Sequence, residues 1–170
     1  MSGPDDGAAA AGDSFRQVKD ICLRRLAARP RTRAELRDAV ARKGFDGDVI
    51  EQVLDKLEAA RLIDDADFAA TWVRSRQTHQ GLGRRALRAE LLRKGVPKEI
   101  ADEAVSGVEE GDEEERARAL VRKKLPSLQR VDSTTALRRV VTMLARKGYP
   151  EGLSYTVASE ELGVLGERGM

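Results

Sequence analysis

The tripeptide Arg-Lys-Gly occurs three times, ending at Gly44, Gly95 and Gly148, so that successive glycines stand 51 and 53 residues apart. Its surroundings recur with it. An amphipathic stretch leads up to each copy (residues 33–41, 84–92 and 135–145), and one apolar residue follows each glycine: Phe45, Val96 or Tyr149. Cations in a last turn suit the negative end of the helix dipole, and glycine takes the left-handed conformation just past a helix at little cost. Each copy is therefore first a helix stop. A period of about 50 residues marks a chain written as three tandem repeats.

Reading outward from the stops gives three helices per repeat. In the first, residues 16–28 form a helix that Pro30 follows. Thr32 with Glu35 makes a capping box for the helix ending near Lys43. From about Asp48 to Arg61, Ile50, Val53, Leu54 and Leu57 repeat at i, i+3, i+4, i+7. The second repeat opens with Asp65 as the cap of a helix carrying Phe68, Ala69, Trp72 and Val73. Gly81 and Gly83 break the chain, Leu87, Leu91 and Leu92 face inward on the next helix, and Pro97 starts a short one lined by Ile100, Ala104 and Val108. The third repeat is expected to hold helices over 114–125, 133–147 and 153–162. No strand pattern is present. The fold expected is all-α, three three-helix repeats stacked in an elongated array, because one such repeat would be marginal alone.

The divisions expected are a disordered leader over 1–14, repeats over 15–62 and 63–108, an acidic linker with the third repeat over 109–163, and a flexible tail over 164–170. The leader has no basic n-region and no apolar run, so it is not expected to be a signal peptide. Nothing approaches the ~20 apolar residues that span a bilayer. The single cysteine, Cys22, excludes an internal disulfide and fits a reducing cytoplasm. Its neighbours Val18, Ile21, Leu23 and Leu26 make it a packed core thiol.

Catalytic chemistry has little to stand on. The one histidine, His79, lies among Gln77, Thr78 and Gln80 with no cysteine or second histidine to share a metal. Gly81-Leu82-Gly83 follows no strand and precedes no Gly-Lys-Ser/Thr, so it fails as a phosphate loop. Asp64 and Asp65 bracket a helix start, where carboxylates complement the dipole. No catalytic residue, cofactor or metal is assigned.

Charge is segregated although the net charge is only +2. Arg74, Arg76, Arg84, Arg85, Arg88, Arg93 and Lys94 face Glu90 alone. An acidic block then runs to Glu115. After it, Arg122, Lys123, Lys124, Arg138 and Arg139 belong to a second basic block in which Asp132 is the only acid. Two basic blocks about an acidic one could meet a long polyanion at two places, or be solvated helix faces. With aromatics at 4%, a stacking platform for bases is not expected, and any nucleic-acid contact would be phosphate-dominated and salt-sensitive.

The run from Leu62-Ile63-Asp64-Asp65 through Phe68-Ala69, Trp72-Val73-Arg74-Ser75-Arg76 and Gly81-Leu82-Gly83-Arg84-Arg85 to Arg93-Lys94-Gly95 resembles the core signature of RecX proteins. Thr32-Arg33-Ala34-Glu35-Leu36 with Lys43-Gly44 resembles the family's opening repeat. The resemblance covers about residues 16–150, and the alanine- and arginine-rich composition suggests an actinobacterial source. It implies a monomeric regulator that binds the RecA–DNA filament and restrains RecA's ATPase, strand-exchange and co-protease activities. The twelve basic residues just named are the candidate contacts with filament or DNA, with Arg74, Arg76, Arg84, Arg85 and Arg88 foremost, some of which could instead pair with Glu90 or the acidic run. The third repeat matches the pattern loosely, and the run Glu109 to Glu115 departs from it. Two rivals are a sequence-independent helical DNA-binding protein and a helical-repeat adaptor for another protein.

Overall fold

Helix signals account for nearly the whole chain. The computed structural model describes residues 5–108 and 110–168, with side chains over 7–108 and 111–163. Among the described residues it holds helices α1 (Asp5–Ala28), α2 (Arg33–Ala41), α3 (Gly47–Ala59), α4 (Asp65–Gln80), α5 (Arg84–Arg93) and α6 (Lys98–Ser106). After these come α7 (Glu110–Lys124), a 3₁₀ turn (Leu125–Leu128), α8 (Ser133–Arg146) and α9 (Glu151–Arg168), with no strand. The helices fall in threes, as the repeat demands.

Local chemistry sets the boundaries. Glu35 N–H donates to the Thr32 hydroxyl at 3.1 Å and Thr32 N–H to the Glu35 carboxylate at 3.4 Å, completing the capping box of α2. Ile50, Val53, Leu54 and Leu57 are all buried along α3. Asp64, rather than Asp65, caps α4 by accepting from Asp67 N–H at 3.0 Å. On α6 the fully buried stripe is Ala101 and Val105, one residue on from the expected Ile100 and Ala104, which are half-buried. Leu92 is exposed rather than inward-facing.

Helix also reaches segments expected without it. Residues 5–14 continue α1, because the alanine run 8–11 extends an existing helix at little cost even with no core to bury. Residues 1–4 lie outside the described residues. The acidic run is helical from Glu110, where Glu114 pairs with Arg118 one turn on at 2.7 Å. Its first member, Glu109, lies outside the described residues. The backbone of 164–168 completes α9, and residues 169–170 lie outside.

Contacts divide the chain into two compact units. The first comprises residues up to Ala69 with Leu91–Ala101, and the second Ala70–Glu90 with Asp102 onward, so the middle repeat is shared between them. The first unit's core is Val18, Cys22, Leu36, Val40, Ile50, Val53, Leu54, Leu57 and Ile63. Burial pushes the Cys22 thiol up, against Arg25, as suits an unreactive packed cysteine. The second unit's core is built on Val121, Val140, Leu144, Tyr149 and Val157.

One joint is built twice, once in each unit. In the first, the N-terminal turn of α2 donates Arg33 N–H to Asp65 at 2.9 Å and the buried Thr32 hydroxyl to Lys94 C=O at 2.7 Å. In the second, the start of α5 donates Arg84 N–H to Glu113 at 3.0 Å and Gly83 N–H to Lys147 C=O at 2.7 Å. A carboxylate and an Arg-Lys-Gly carbonyl from the next repeat thus satisfy helix N–H or cap donors that would otherwise be orphaned. At Gly95 and Gly148, with φ of +81° and +92°, the neighbouring repeat packs so close that an added Cβ would stand 2.3 Å from an atom of Ala34 or Ala86. The Tyr149 hydroxyl adds a bond to Gly81 C=O at 2.7 Å, and burial pushes its phenol up to about 12.

Ion pairs on the first unit make stability depend on pH. Arg33 bridges Glu51 and Asp55, both at 2.7 Å, and Glu58, while Arg37 reaches Glu51 at 2.5 Å. Hydrogen bonds from Arg37 and then Arg33 hold the Glu51 carboxyl down at about 2. A folded-state value below the unfolded one contributes stability above the ordinary glutamate range of about 4.3, and that contribution is lost as pH falls toward 2. Glu161 is lowered in the same sense, chiefly by Arg122. Thermal unfolding followed by circular dichroism is expected to give a lower midpoint at pH 3 than at pH 7. Glu51→Gln should narrow the difference; a midpoint unchanged by that substitution at both pH values would refute the assignment.

Candidate interaction surface

The basic residues singled out in the sequence do not share one fate. On the second repeat, Arg76 lies over the Trp72 ring at 4.5 Å and 3.4 Å from Glu90, which also accepts from the Trp72 indole N–H at 2.8 Å. Arg84 sits 3.6 Å from Glu113, a carboxylate only 4% exposed. Arg88 bonds Asp102 at 2.5 Å, and Lys94 lies 3.6 Å from Glu35. These four cations are held by the protein's own acids, with Glu90 and the acidic run supplying two of the partners. Arg74 donates to the Thr71 hydroxyl at 3.3 Å and stands in no ion pair among the described residues. Arg85 and Arg93 are exposed and stand in no ion pair among the described residues.

The third repeat sorts its cations by helix face. Arg118 and Arg122 lie one turn apart on α7 and both turn to α9, where Arg118 pairs with Glu160 and Glu161 and Arg122 with Glu161 at 3.1 Å. Glu161 is buried beneath them. Lys123 and Lys124 close α7 exposed, and Arg138 and Arg139 are exposed on α8, with no ion pair among the described residues.

Two open grooves on the second unit gather these unpaired cations. One is lined by Lys124, Arg138, Arg139, Thr142, Met143, Arg146 and Lys147. The other is lined by Gln77 to Gly81, Arg116, Ala119, Leu120, Lys123 and Lys147. Lys147 belongs to both and donates to Gln80 C=O at 2.8 Å. Among the described residues no carboxylate lines either groove. Arg116, Arg146 and Lys147 were not among the sequence candidates: Arg116 lies next to the acidic run, and the other two read as a helix stop. A further groove on the first unit carries Arg24, Arg25, Arg31 and Lys43, also missed, because these cations are scattered along the sequence.

Among the described residues no group of three or more His, Cys, Asp or Glu side chains is placed to hold a metal ion, and no helix is long and apolar enough to cross a membrane. What the surface offers is fixed positive charge of two kinds. Paired arginines hold helices together, and unpaired ones face solvent where an anionic partner can reach them.

Family models of RecX three-helix domains match the chain three times: the first domain over residues 19–57, the second over 64–105 and the third over 112–157. Regulatory protein RecX of Amycolatopsis mediterranei is 54% identical over 154 residues, covering 91% of this chain and 88% of that protein. Regulatory protein RecX of Thermobifida fusca is 44% identical, covering 96% and 89%. The crystal structure of RecX from Lactobacillus salivarius shares the fold at a TM-score of 0.81 and 22% identity, covering 88% of this chain and 97% of that one. The repeated Arg-Lys-Gly stops, the helices in threes and these matches lead to one conclusion: the chain belongs to the RecX family of regulatory proteins.

Proposed function

We propose that this protein is a non-enzymatic regulator that works in the cytoplasm, binds the RecA–DNA filament as a monomer and restrains RecA's ATPase, strand-exchange and co-protease activities. Membership of the RecX family through all three of its three-helix domains carries the reading. The unpaired cations support it, since a filament of protein on DNA presents a long anionic surface. Within the second repeat, Arg85 and Arg93 are the strongest contact residues, because both are exposed and stand in no ion pair among the described residues, while Arg76, Arg84 and Arg88 already have acidic partners.

Reversing Arg84 together with Arg85 would set a glutamate beside buried Glu113, so the two positions are best separated. Arg85→Glu is expected to raise the concentration needed to inhibit RecA's ATPase by about tenfold, the loss of ~1.4 kcal/mol. Its helicity and melting temperature should stay those of the unaltered protein, and Arg85→Lys should recover most of the inhibition. Unchanged inhibition by a fully folded Arg85→Glu protein would remove Arg85 from the contact.

A further inference from the structure

Of the three Arg-Lys-Gly stops, two are engaged by the start of another helix. Lys94 C=O accepts the Thr32 hydroxyl and Lys147 C=O accepts Gly83 N–H, both at 2.7 Å. The residue that meets each stop glycine is small, Ala34 against Gly95 and Ala86 against Gly148. The first stop has the same local geometry. Gly44 N–H donates to Ala41 C=O at 3.0 Å, as Gly95 does to Leu92 and Gly148 to Ala145, and its φ is +84°. Arg42, Lys43 and Gly44 are nevertheless exposed, and no donor among the described residues reaches Lys43 C=O. A Cβ on Gly44 would meet nothing within 4 Å. The first stop is open.

Beside it lies the groove lined by Ile21, Arg24, Arg25, Ala28, Arg31 and Lys43, four cations and two apolar residues with no acid among the described residues. One kind of occupant suits both features: the first turn of a helix that carries a small residue and several carboxylates. Its orphan N–H groups match Lys43 C=O, and the acids that favour a helix start match the cations. The chain itself holds such a turn at the start of α7. Gly111 is exposed, and a Cβ there would meet nothing within 4 Å. Asp112 and Glu115 are exposed and stand in no ion pair among the described residues. The other helix starts fit less well, since α9 opens with Glu151 and Gly152 but brings a single acid, and Asp64 already caps α4. We infer that the start of α7 in one copy docks on the open stop and basic groove of a second copy, linking copies head to tail. The contact goes beyond the regulatory reading and does not rest on it: single copies still bind the filament, and the contact joins one copy to the next. Its two surfaces differ, so it is heterologous, and each pair of copies keeps one free surface of each kind. It is small and built on exposed charge, which makes it weak and salt-sensitive.

The test is sedimentation equilibrium of the full chain, with neither RecA nor DNA present. At about 50 mM salt the average mass is expected to rise above that of one chain between about 10 and about 300 μM protein, and to return to it at about 500 mM salt. Arg24→Glu with Lys43→Glu, and separately Asp112→Lys with Glu115→Lys, should each weaken association by about tenfold. Mixing the two variants should restore it, because the intact acidic turn of the first meets the intact groove of the second. Arg85→Glu with Arg93→Glu changes net charge as much as the groove variant does, away from the groove, and should cost under about threefold. Gly111→Leu leaves the charge alone but fills the space needed for close approach to Gly44, and it too should weaken association. Circular dichroism and melting temperature establish that every variant is folded. A single-chain mass throughout, a mixture that fails to associate, equal losses in the groove and control variants, or full association of Gly111→Leu would each overturn the contact. Because RecA is absent, RecA inhibition can fail while the contact stands, and the reverse.

Discussion

Gly148→Ala is expected to destabilise the protein by about 3–5 kcal/mol, and Gly95→Ala by a similar amount, while Gly44→Ala costs about 1–2 kcal/mol. All three glycines end an Arg-Lys-Gly and all three have positive φ, at +84°, +81° and +92°. Each alanine therefore meets the left-handed penalty of about 1–2 kcal/mol. The positions differ in what surrounds them. A Cβ on Gly44 meets nothing within 4 Å. One on Gly95 would stand 2.3 Å from the Ala34 Cβ, and one on Gly148 would stand 2.3 Å from Ala86 N and 2.4 Å from its Cβ. The Cβ or backbone of an alanine cannot swing aside as a long side chain would, so the joint must open, at the cost typical of an overpacked core. Urea unfolding of the three variants measures the difference directly. Equal losses at all three positions would show that the motif is only a helix stop and that the joints contribute nothing.

Glu113→Ala is expected to cost about 2–3 kcal/mol, whereas Glu115→Ala, two residues on and exposed, should stay within about 0.5 kcal/mol. Glu113 accepts from the first N–H of α5 at 3.0 Å and lies 3.6 Å from the Arg84 guanidinium. Removing it leaves a helix N–H and a half-buried arginine without a partner, and such orphaned groups cost more than the pair contributes. Similar losses for Glu113→Ala and Glu115→Ala would mean that the acidic run acts through its summed charge and not through this contact.

How far the sequence carried the fold depended on whether a signal was local. The capping box at Thr32 and Glu35, the α3 stripe and the three glycine stops are all short-range patterns, and each appears where the spacing puts it. Propensity without an apolar face was harder to read: residues 5–14 and the acidic run carry no large apolar side chain, yet they form the first turns of α1 and α7, whose apolar faces lie further along the chain. Charge blocks were legible, but their division was not. Arg84 and Arg85 are neighbours in sequence, and only the placement of Glu113, 29 residues from Arg84, makes one structural and the other free. Arg146 and Lys147 show the reverse: their helix-ending role was visible, and the groove that joins them to Lys124 needed α7 and α8 side by side.

The measurement that most directly tests the function is the rate of ATP hydrolysis by RecA on excess single-stranded DNA, with this protein added well below the RecA concentration. Excess DNA removes simple coating of the strand as an explanation. The account predicts strong inhibition at those substoichiometric amounts. An ATPase rate that stays unchanged across a range of salt concentrations would contradict it.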